Sequence, residues 1–237
     1  MAEVLFLTQV AHRLNNESVG MAISTNNLGS MMSPGPLRRL LQSLATLDAI
    51  LCVEDYLRYH SFNANWGQGQ QMASMANGAG DHYFVLFERQ GCFFKGFDHE
   101  CQMTPYSNEP PQVFEGVLSD VPEIYSHCLF EPAFDMESTT FCFWWDPAEA
   151  NWKHGPVEWD PEEPDPDGSL ALLSLLDGKA ETYRAFAADY FEVEIDLADI
   201  EQVFSHRVLT EELVRRLNPE RNLDALASQL LEIGYPE

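Results

Sequence analysis

The sequence has few cationic side chains. It contains 13 lysines and arginines against 38 aspartates and glutamates, which gives a formal charge of −25 at pH 7. Such a charge opposes unaided binding to DNA, RNA or anionic lipid, so we expect no nucleic-acid or membrane partner. No apolar run approaches the roughly 18 residues of a membrane-spanning helix. The N-terminus has no basic segment, so we expect no signal peptide and a cytoplasmic protein.

Cysteine motifs are also missing. The five cysteines are widely spaced and none forms a CxxC pair: Cys52, Cys92, Cys101, Cys128 and Cys142. This spacing argues against a disulfide framework and against a structural zinc module. The sequence contains neither a GxGxxG phosphate loop after a strand nor a GxSxG nucleophile motif. We therefore expect reduced thiols and no cofactor.

The chain is nevertheless rich enough in apolar residues to fold. Hydrophobic residues make up 45% of the sequence and aromatic residues 12%, which is typical of a globular protein. We expect residues 1–33 to be an N-terminal arm with a short helix over 2–14, and residues 34–237 to be a single domain. Ser33 and Pro34 precede a row of leucines at helical spacing and predict a helix that begins there.

The middle of the chain shows β-strand patterns. Residues 82–88 and 92–97 are aromatic and β-branched runs on either side of Gly91, which predicts a β-hairpin. Residues 139–145 predict a central strand that is buried on both faces. Residues 63–80 are rich in Asn, Gln and Gly, which predicts a loop with a helical turn over Met72–Met75.

Residues 168–237 predict a helical subregion. Its expected helices cover 170–176, 180–191, 197–204, 211–217 and 219–233. Thr210 and Asn218 are good N-cap residues, and Gly234 is a good C-terminal stop. The predicted fold class is therefore α+β, with an antiparallel β-sheet in the middle of the chain, an N-terminal helix and a helical C-terminal third.

Two acid–histidine clusters lie at the ends of the predicted hairpin. Asp81 and His82 begin one strand, and Asp98, His99 and Glu100 follow the other. Antiparallel pairing brings both clusters to the same end, where carboxylates and imidazoles supply metal ligands or a general acid–base pair. The candidate metal ligands are His82, Asp98 and His99. The alternative is that the aspartates cap turns and the histidines bind backbone groups.

Acidic residues are concentrated in the middle of the sequence. From Asp98 to Glu201 there are 25 acidic residues against only three lysines and arginines. Residues 160–168 combine prolines with like charges and predict an exposed acidic loop. We expect this edge to bind a basic protein, and the candidate residues are Glu158, Asp160, Glu162, Glu163, Asp165 and Asp167. The alternative is that the acidity only keeps the protein soluble.

Several segments carry a resemblance to known families. Residues 91–100 and 131–134, followed by 139–145, resemble a family of bacterial proteins that has no assigned activity. The Asn77-Gly78 turn before a strand resembles the SUKH-type immunity proteins, which are acidic α+β domains that neutralise toxins. This resemblance implies an immunity function, and it transfers no residue roles.

These observations favour recognition over catalysis. Our leading hypothesis is an acidic binding protein, such as an immunity or inhibitor protein for a basic partner. One alternative is a metal-assisted hydrolase that uses the two acid–histidine clusters. The other is a structural or regulatory domain without a compact site.

Overall fold

The computed structural model describes residues 22–160 and 162–236, so the helix predicted over 2–14 lies outside the described residues. An antiparallel sheet of six strands, in the order β1 to β6, occupies the middle of the chain. Its strands are β1 (His60–Gly67), β2 (Gln70–Ala76), β3 (His82–Glu88), β4 (Gly91–Phe97), β5 (Phe141–Asp146) and β6 (Asn151–His154). This arrangement confirms the predicted α+β class.

The α-helices stand before the sheet in the chain and in the C-terminal third. They are α1 (Pro34–Leu51), α2 (Ser169–Leu172), α3 (Ala180–Tyr190), α4 (Leu197–Phe204), α5 (Glu211–Leu217) and α6 (Leu223–Ile233). Short 3₁₀ helices cover Thr25–Ser30, Asp55–Leu57, Pro105–Ser107, Glu123–Phe130, Pro132–Phe134 and Ser174–Asp177. None of the helices among the described residues is long and apolar enough to cross a membrane.

The chain divides into two compact units. The described part of the first unit is residues 22–31 and 93–177, and that of the second is residues 32–92 and 178–236. The predicted boundary between an arm that ends at residue 33 and a domain that begins at 34 stays a prediction.

Helix α1 begins at Pro34, as predicted, and forms the apolar centre of the second unit. Leu37, Leu44 and Leu47 have no exposed surface, because the leucines recur at helical spacing on the buried side. The carbonyl groups of its last turn are bound by cationic and amide side chains. Arg221 Nη2 donates to the carbonyl of Ala49 at 2.6 Å, which stabilises the negative end of the helix dipole.

The predicted N-cap role of Asn218 is wrong. Its side-chain nitrogen donates to the carbonyl of Ile50, at 2.8 Å, near the C-terminus of α1. Helix α6 begins at Leu223 instead, and Asn222 is its N-cap residue, with Oδ1 accepting from the backbone nitrogen of Ala225 at 2.9 Å. The side-chain oxygen of Asn218 still accepts locally, from the backbone nitrogen of Glu220 at 3.0 Å, but this bond closes a turn that does not continue into the helix.

The prediction of a loop over residues 63–80 is also wrong for most of its length. Strands β1 and β2 pair there in antiparallel register, with Phe62 opposite Ala73 and Asn63 opposite Met72. Phe62, Met72 and Ala73 are buried although Asn, Gln and Gly surround them in sequence. Strand pairing and one-sided burial thus override the local composition.

In the first unit, β4, β5 and β6 form an aromatic sheet with different neighbours on its two faces. Phe94 lies opposite Phe143, and their ring centroids are 4.5 Å apart. On the other face, Phe93 packs against Tyr125, at 6.1 Å between centroids. The predicted burial of the central strand on both faces is confirmed, because residues 141–144 are all buried.

Candidate binding surface

Asp81 and His82, the candidate site residues of the second unit, make local turn contacts. Asn77 Nδ2 donates to Asp81 Oδ2 at 2.6 Å, and Asn77 Oδ1 accepts from the backbone nitrogen of Asp81 at 3.1 Å. His82 Nδ1 lies 3.1 Å from the carbonyl oxygen of Gly80. These bonds match the alternative in which Asp81 holds a turn and His82 binds a backbone group.

The second acid–histidine cluster lies in the first unit and is also built around a turn. Asp98 Oδ1 accepts from the backbone nitrogens of Glu100, at 2.8 Å, and Cys101, at 3.0 Å. His99 Nε2 lies 3.8 Å from Glu100 Oε1, and both side chains are more than one-third exposed. The metal-site hypothesis combines residues of the two units, and it stays a prediction.

Four of the six predicted partner-binding residues are exposed. Glu158 and Asp160 precede the first proline of the acidic loop, and Glu162 and Glu163 follow it. Asp160 Oδ1 accepts from the backbone nitrogen of Glu162 at 2.9 Å, and this bond orders the loop. The side chains of Glu158, Glu162 and Glu163 are exposed to solvent. These four residues are accessible to solvent, and their role in binding a partner stays a prediction.

The remaining two residues of this set, Asp165 and Asp167, do not belong to an exposed edge, so that part of the prediction is wrong. Asp167 is only 2% exposed. It accepts from the backbone nitrogen of Ser169 at 3.0 Å and from the hydroxyl of Thr25. Asp165 accepts from the backbone nitrogens of Leu170 and Ala171, at 2.9 and 3.0 Å. Both carboxylates are turned inward because they bind the free N–H groups where α2 begins.

The pKa of Asp165 reflects this inward position. Burial raises it to about 6, and the nearby Asp167 and Asp98 carboxylates also raise it, whereas the two backbone hydrogen bonds lower it. Burial destabilises the charged form of this carboxylate, and its hydrogen bonds go to backbone groups of the same segment. Asp165 therefore stabilises the local structure of the loop. We therefore leave Asp165 and Asp167 out of the binding surface.

The first unit carries a very uneven charge. Residues 22–31 and 93–177 contain 18 acidic residues and only two cationic ones, Lys95 and Lys153. Twelve of the acidic residues are exposed: Glu100, Glu109, Glu115, Asp120, Glu123, Asp135, Glu137, Glu149, Glu158, Asp160, Glu162 and Glu163. In the second unit, residues 32–92 and 178–236 contain 17 acidic residues and ten lysines and arginines. The excess negative charge therefore belongs chiefly to the surface of the first unit.

Neither lysine of the first unit offsets that surface charge freely. Lys153 Nζ lies 2.8 Å from both Asp146 Oδ2 and Glu149 Oε1. Lys95 has no exposed surface at all. It stands opposite Cys142 in the β4–β5 pair, and its Nζ lies 5.9 Å from the centroid of the Phe97 ring. Burial lowers the pKa of Lys95 to about 8, although nearby Asp135 and Cys142 raise it.

The 3₁₀ helix Glu123–Phe130 of the same unit displays exposed apolar side chains. In a 3₁₀ helix, residues three apart lie above one another. Tyr125 and Cys128 form the buried row, and Ile124, His127 and Phe130 form an exposed row. Ile124 is 43% exposed and Phe130 82% exposed. Sequence reasoning missed this row, although the three-residue spacing of Tyr125 and Cys128 would have indicated it.

No protein-family model, no curated protein and no solved structure matches this chain.

Proposed function

We propose that this chain is a binding protein whose first unit recognises a basic protein through exposed carboxylates, in the manner of an immunity or inhibitor protein. The observation that carries the proposal is the charge of the described part of the first unit, residues 22–31 and 93–177, with 18 acidic residues against two lysines. One of these lysines is fully buried, and the other is held between Asp146 and Glu149. Among the described residues, the surface of this unit is thus strongly anionic, and Lys153 offsets only a small part of its charge.

Such a surface acts on a cationic partner before contact. Long-range attraction raises the rate of encounter, and like charges exclude acidic competitors. The effect weakens as salt shortens the screening length. A protein that works in this way binds its partner tightly at low ionic strength and loses part of that affinity at high ionic strength.

The first test is capture of the partner from the native cell. We expect the immobilised protein to retain a basic protein at low ionic strength and to release it at high ionic strength. Retention of acidic proteins only, or of none, would contradict the proposal. The captured partner, once purified, then serves for rate measurements.

The second test changes the exposed part of the acidic loop. A variant with Glu158→Gln, Asp160→Asn, Glu162→Gln and Glu163→Gln is expected to associate with the purified partner roughly 10-fold more slowly at low salt. Dissociation should change much less, because charges at the rim steer encounter more than they hold the complex. Surface plasmon resonance at two ionic strengths measures both rates.

A matched variant of the second unit controls for net charge. Asp189, Glu192, Glu194 and Glu201 are all exposed, and their conversion to Asn or Gln removes the same four charges. We expect this control to bind nearly as fast as the wild type. Equal slowing in both variants would show that total charge matters and that the acidic loop is not part of the contact.

A further inference from the structure

We infer that the row Ile124–His127–Phe130 is the apolar centre of the contact, and that it docks a basic segment of the partner that also carries an apolar side. This inference rests on the proposed function. It locates the contact on the 3₁₀ helix Glu123–Phe130. It also adds a second requirement for the partner, which must expose hydrophobic surface next to lysine or arginine.

The first support is the degree of exposure within regular structure. Phe130 is 82% exposed although it ends a helix whose other face is anchored in the aromatic core. The anchor is Tyr125, which is fully buried and whose hydroxyl donates to the carbonyl of Trp145 at 2.8 Å. The helix is thus held firmly while it presents two large apolar side chains to solvent. Two large apolar side chains exposed in one row of an anchored helix are a candidate interaction site.

The second support is charge complementarity around the row. Glu123 and Asp120 lie just before it in the chain, Asp135 and Glu137 lie just after it, and all four are exposed. No lysine or arginine occurs between Lys95 and Lys153. Exposed acidic side chains that flank an apolar row in the chain match a cationic segment with a hydrophobic side, because protein interfaces commonly combine a charged rim with an apolar core.

The chemistry of Phe130 fits the same partner. The face of an aromatic ring attracts ammonium and guanidinium groups, and this attraction adds to that of the nearby carboxylates. Aromatic anchors at the centre of an interface usually carry much of its binding energy. A basic amphipathic segment therefore gains from the ring in two ways, by burying apolar area and by placing a cation over its face.

The experiment uses two synthetic helical peptides of equal length and equal positive charge. One combines lysine with leucine on one side, and the other has serine in place of every leucine. We expect the wild-type protein to bind the lysine–leucine peptide roughly 10- to 100-fold more tightly than the lysine–serine peptide. Titration calorimetry measures both affinities at the same ionic strength.

Variants locate the difference on the molecule. Ile124→Ser with Phe130→Ser is expected to remove the preference for the lysine–leucine peptide and to weaken binding of the lysine–serine peptide by only roughly 2- to 5-fold, through the loss of the cation–π attraction of the Phe130 ring. The control is Val208→Ser with Leu231→Ser, which changes two apolar residues of the second unit that are 56% and 67% exposed. This control should keep the full preference. Thermal melting confirms that both variants are folded.

The outcomes separate this inference from the proposed function. Equal binding of both peptides by the wild type would overturn the apolar centre and leave the electrostatic proposal in place. Failure to bind either peptide would count against the proposed function itself. A wild type that sediments as a dimer, together with a monomeric Phe130→Ser variant, would overturn the inference in favour of contact between two copies of this chain.

Discussion

Replacing Asp48 with alanine is expected to lower the free energy of unfolding by about 3–5 kcal/mol. Asp48 has no exposed surface and lies in α1. Its carboxylate accepts from the backbone nitrogen of His60 at 2.7 Å, and His60 Nδ1 lies 3.1 Å away. The hydroxyl of Tyr183 donates to its other oxygen at 2.7 Å. One side chain therefore ties together α1, β1 and α3 of the second unit.

The size of the effect follows from what alanine leaves behind. The backbone N–H of His60 and the hydroxyl of Tyr183 would both be buried without an acceptor. Each such group costs about 1–3 kcal/mol, more than the net gain from an ordinary hydrogen bond. The imidazole of His60, which is itself only 2% exposed, would lose its carboxylate as well. Urea denaturation followed by circular dichroism measures the change.

Two further variants sharpen this test. Asp48→Asn keeps one acceptor oxygen, so we expect a smaller loss of about 1–3 kcal/mol. Asp189→Ala removes an exposed carboxylate from α3 of the same unit and should change stability by no more than about 0.5 kcal/mol. If Asp48→Ala unfolds at nearly the same urea concentration as Asp189→Ala, the buried network does not hold the unit together.

Asp48 also shows where prediction from the sequence stops. The start of α1 was predictable because Pro34 and the spacing of the leucines are local signals. The role of Asp48 was not predictable, because an acidic residue among leucines gives no sign that His60 and Tyr183 will meet it. Local rules describe a helix, whereas the partner of a buried charge is decided by elements that are distant in sequence.

The candidate surface divides in the same way. Its acidity was predictable from the sequence, as was the exposure of Glu162 and Glu163. The inward turn of Asp165 and Asp167 was not, because all four carboxylates lie in one proline-rich run of similar composition. The difference arises from α2, whose first N–H groups bind the two later aspartates. Tertiary hydrogen bonding thus sorts chemically similar residues into a structural pair and an exposed pair.

Lys95 leads to the second large prediction, which concerns pH. Within a run of aromatic residues it has no exposed surface, and burial lowers its pKa from 10.5 to about 8. Between these two values, the unfolded chain keeps the proton on Lys95 and the folded chain releases it. Folding then sheds a proton, so the folded state gains stability as the pH rises through this range. Below pH 8 the ammonium is charged in both states, and the folded state bears the cost of burying it.

The variant Lys95→Met isolates this effect, because methionine is apolar and of similar length. We expect Lys95→Met to be at least as stable as the wild type at neutral pH, since it removes a buried charge. As the pH rises from 8 towards 10.5, the wild type should gain up to about 3 kcal/mol relative to the variant. Urea denaturation at several pH values measures this difference, and the ionisation of tyrosines, common to both proteins, cancels from it.

The exposed Lys179, at the N-terminus of α3, provides the control for this experiment. The unfolding free energy of Lys179→Met should depend on pH in the same way as that of the wild type, because an exposed ammonium stays hydrated and folding does not desolvate it. Parallel profiles for the wild type and Lys95→Met from pH 7 to 10 would mean that the Lys95 ammonium reaches solvent or a close counter-charge. In that case Lys95 would offset part of the negative charge of the first unit, and the charge available to attract a basic partner would be smaller by one. If the unfolding free energies of the wild type and Lys95→Met instead converge as the pH rises, and Lys179→Met behaves as the wild type, then the Lys95 ammonium is held away from solvent. The exposed carboxylates in the described part of that unit are then not balanced by Lys95.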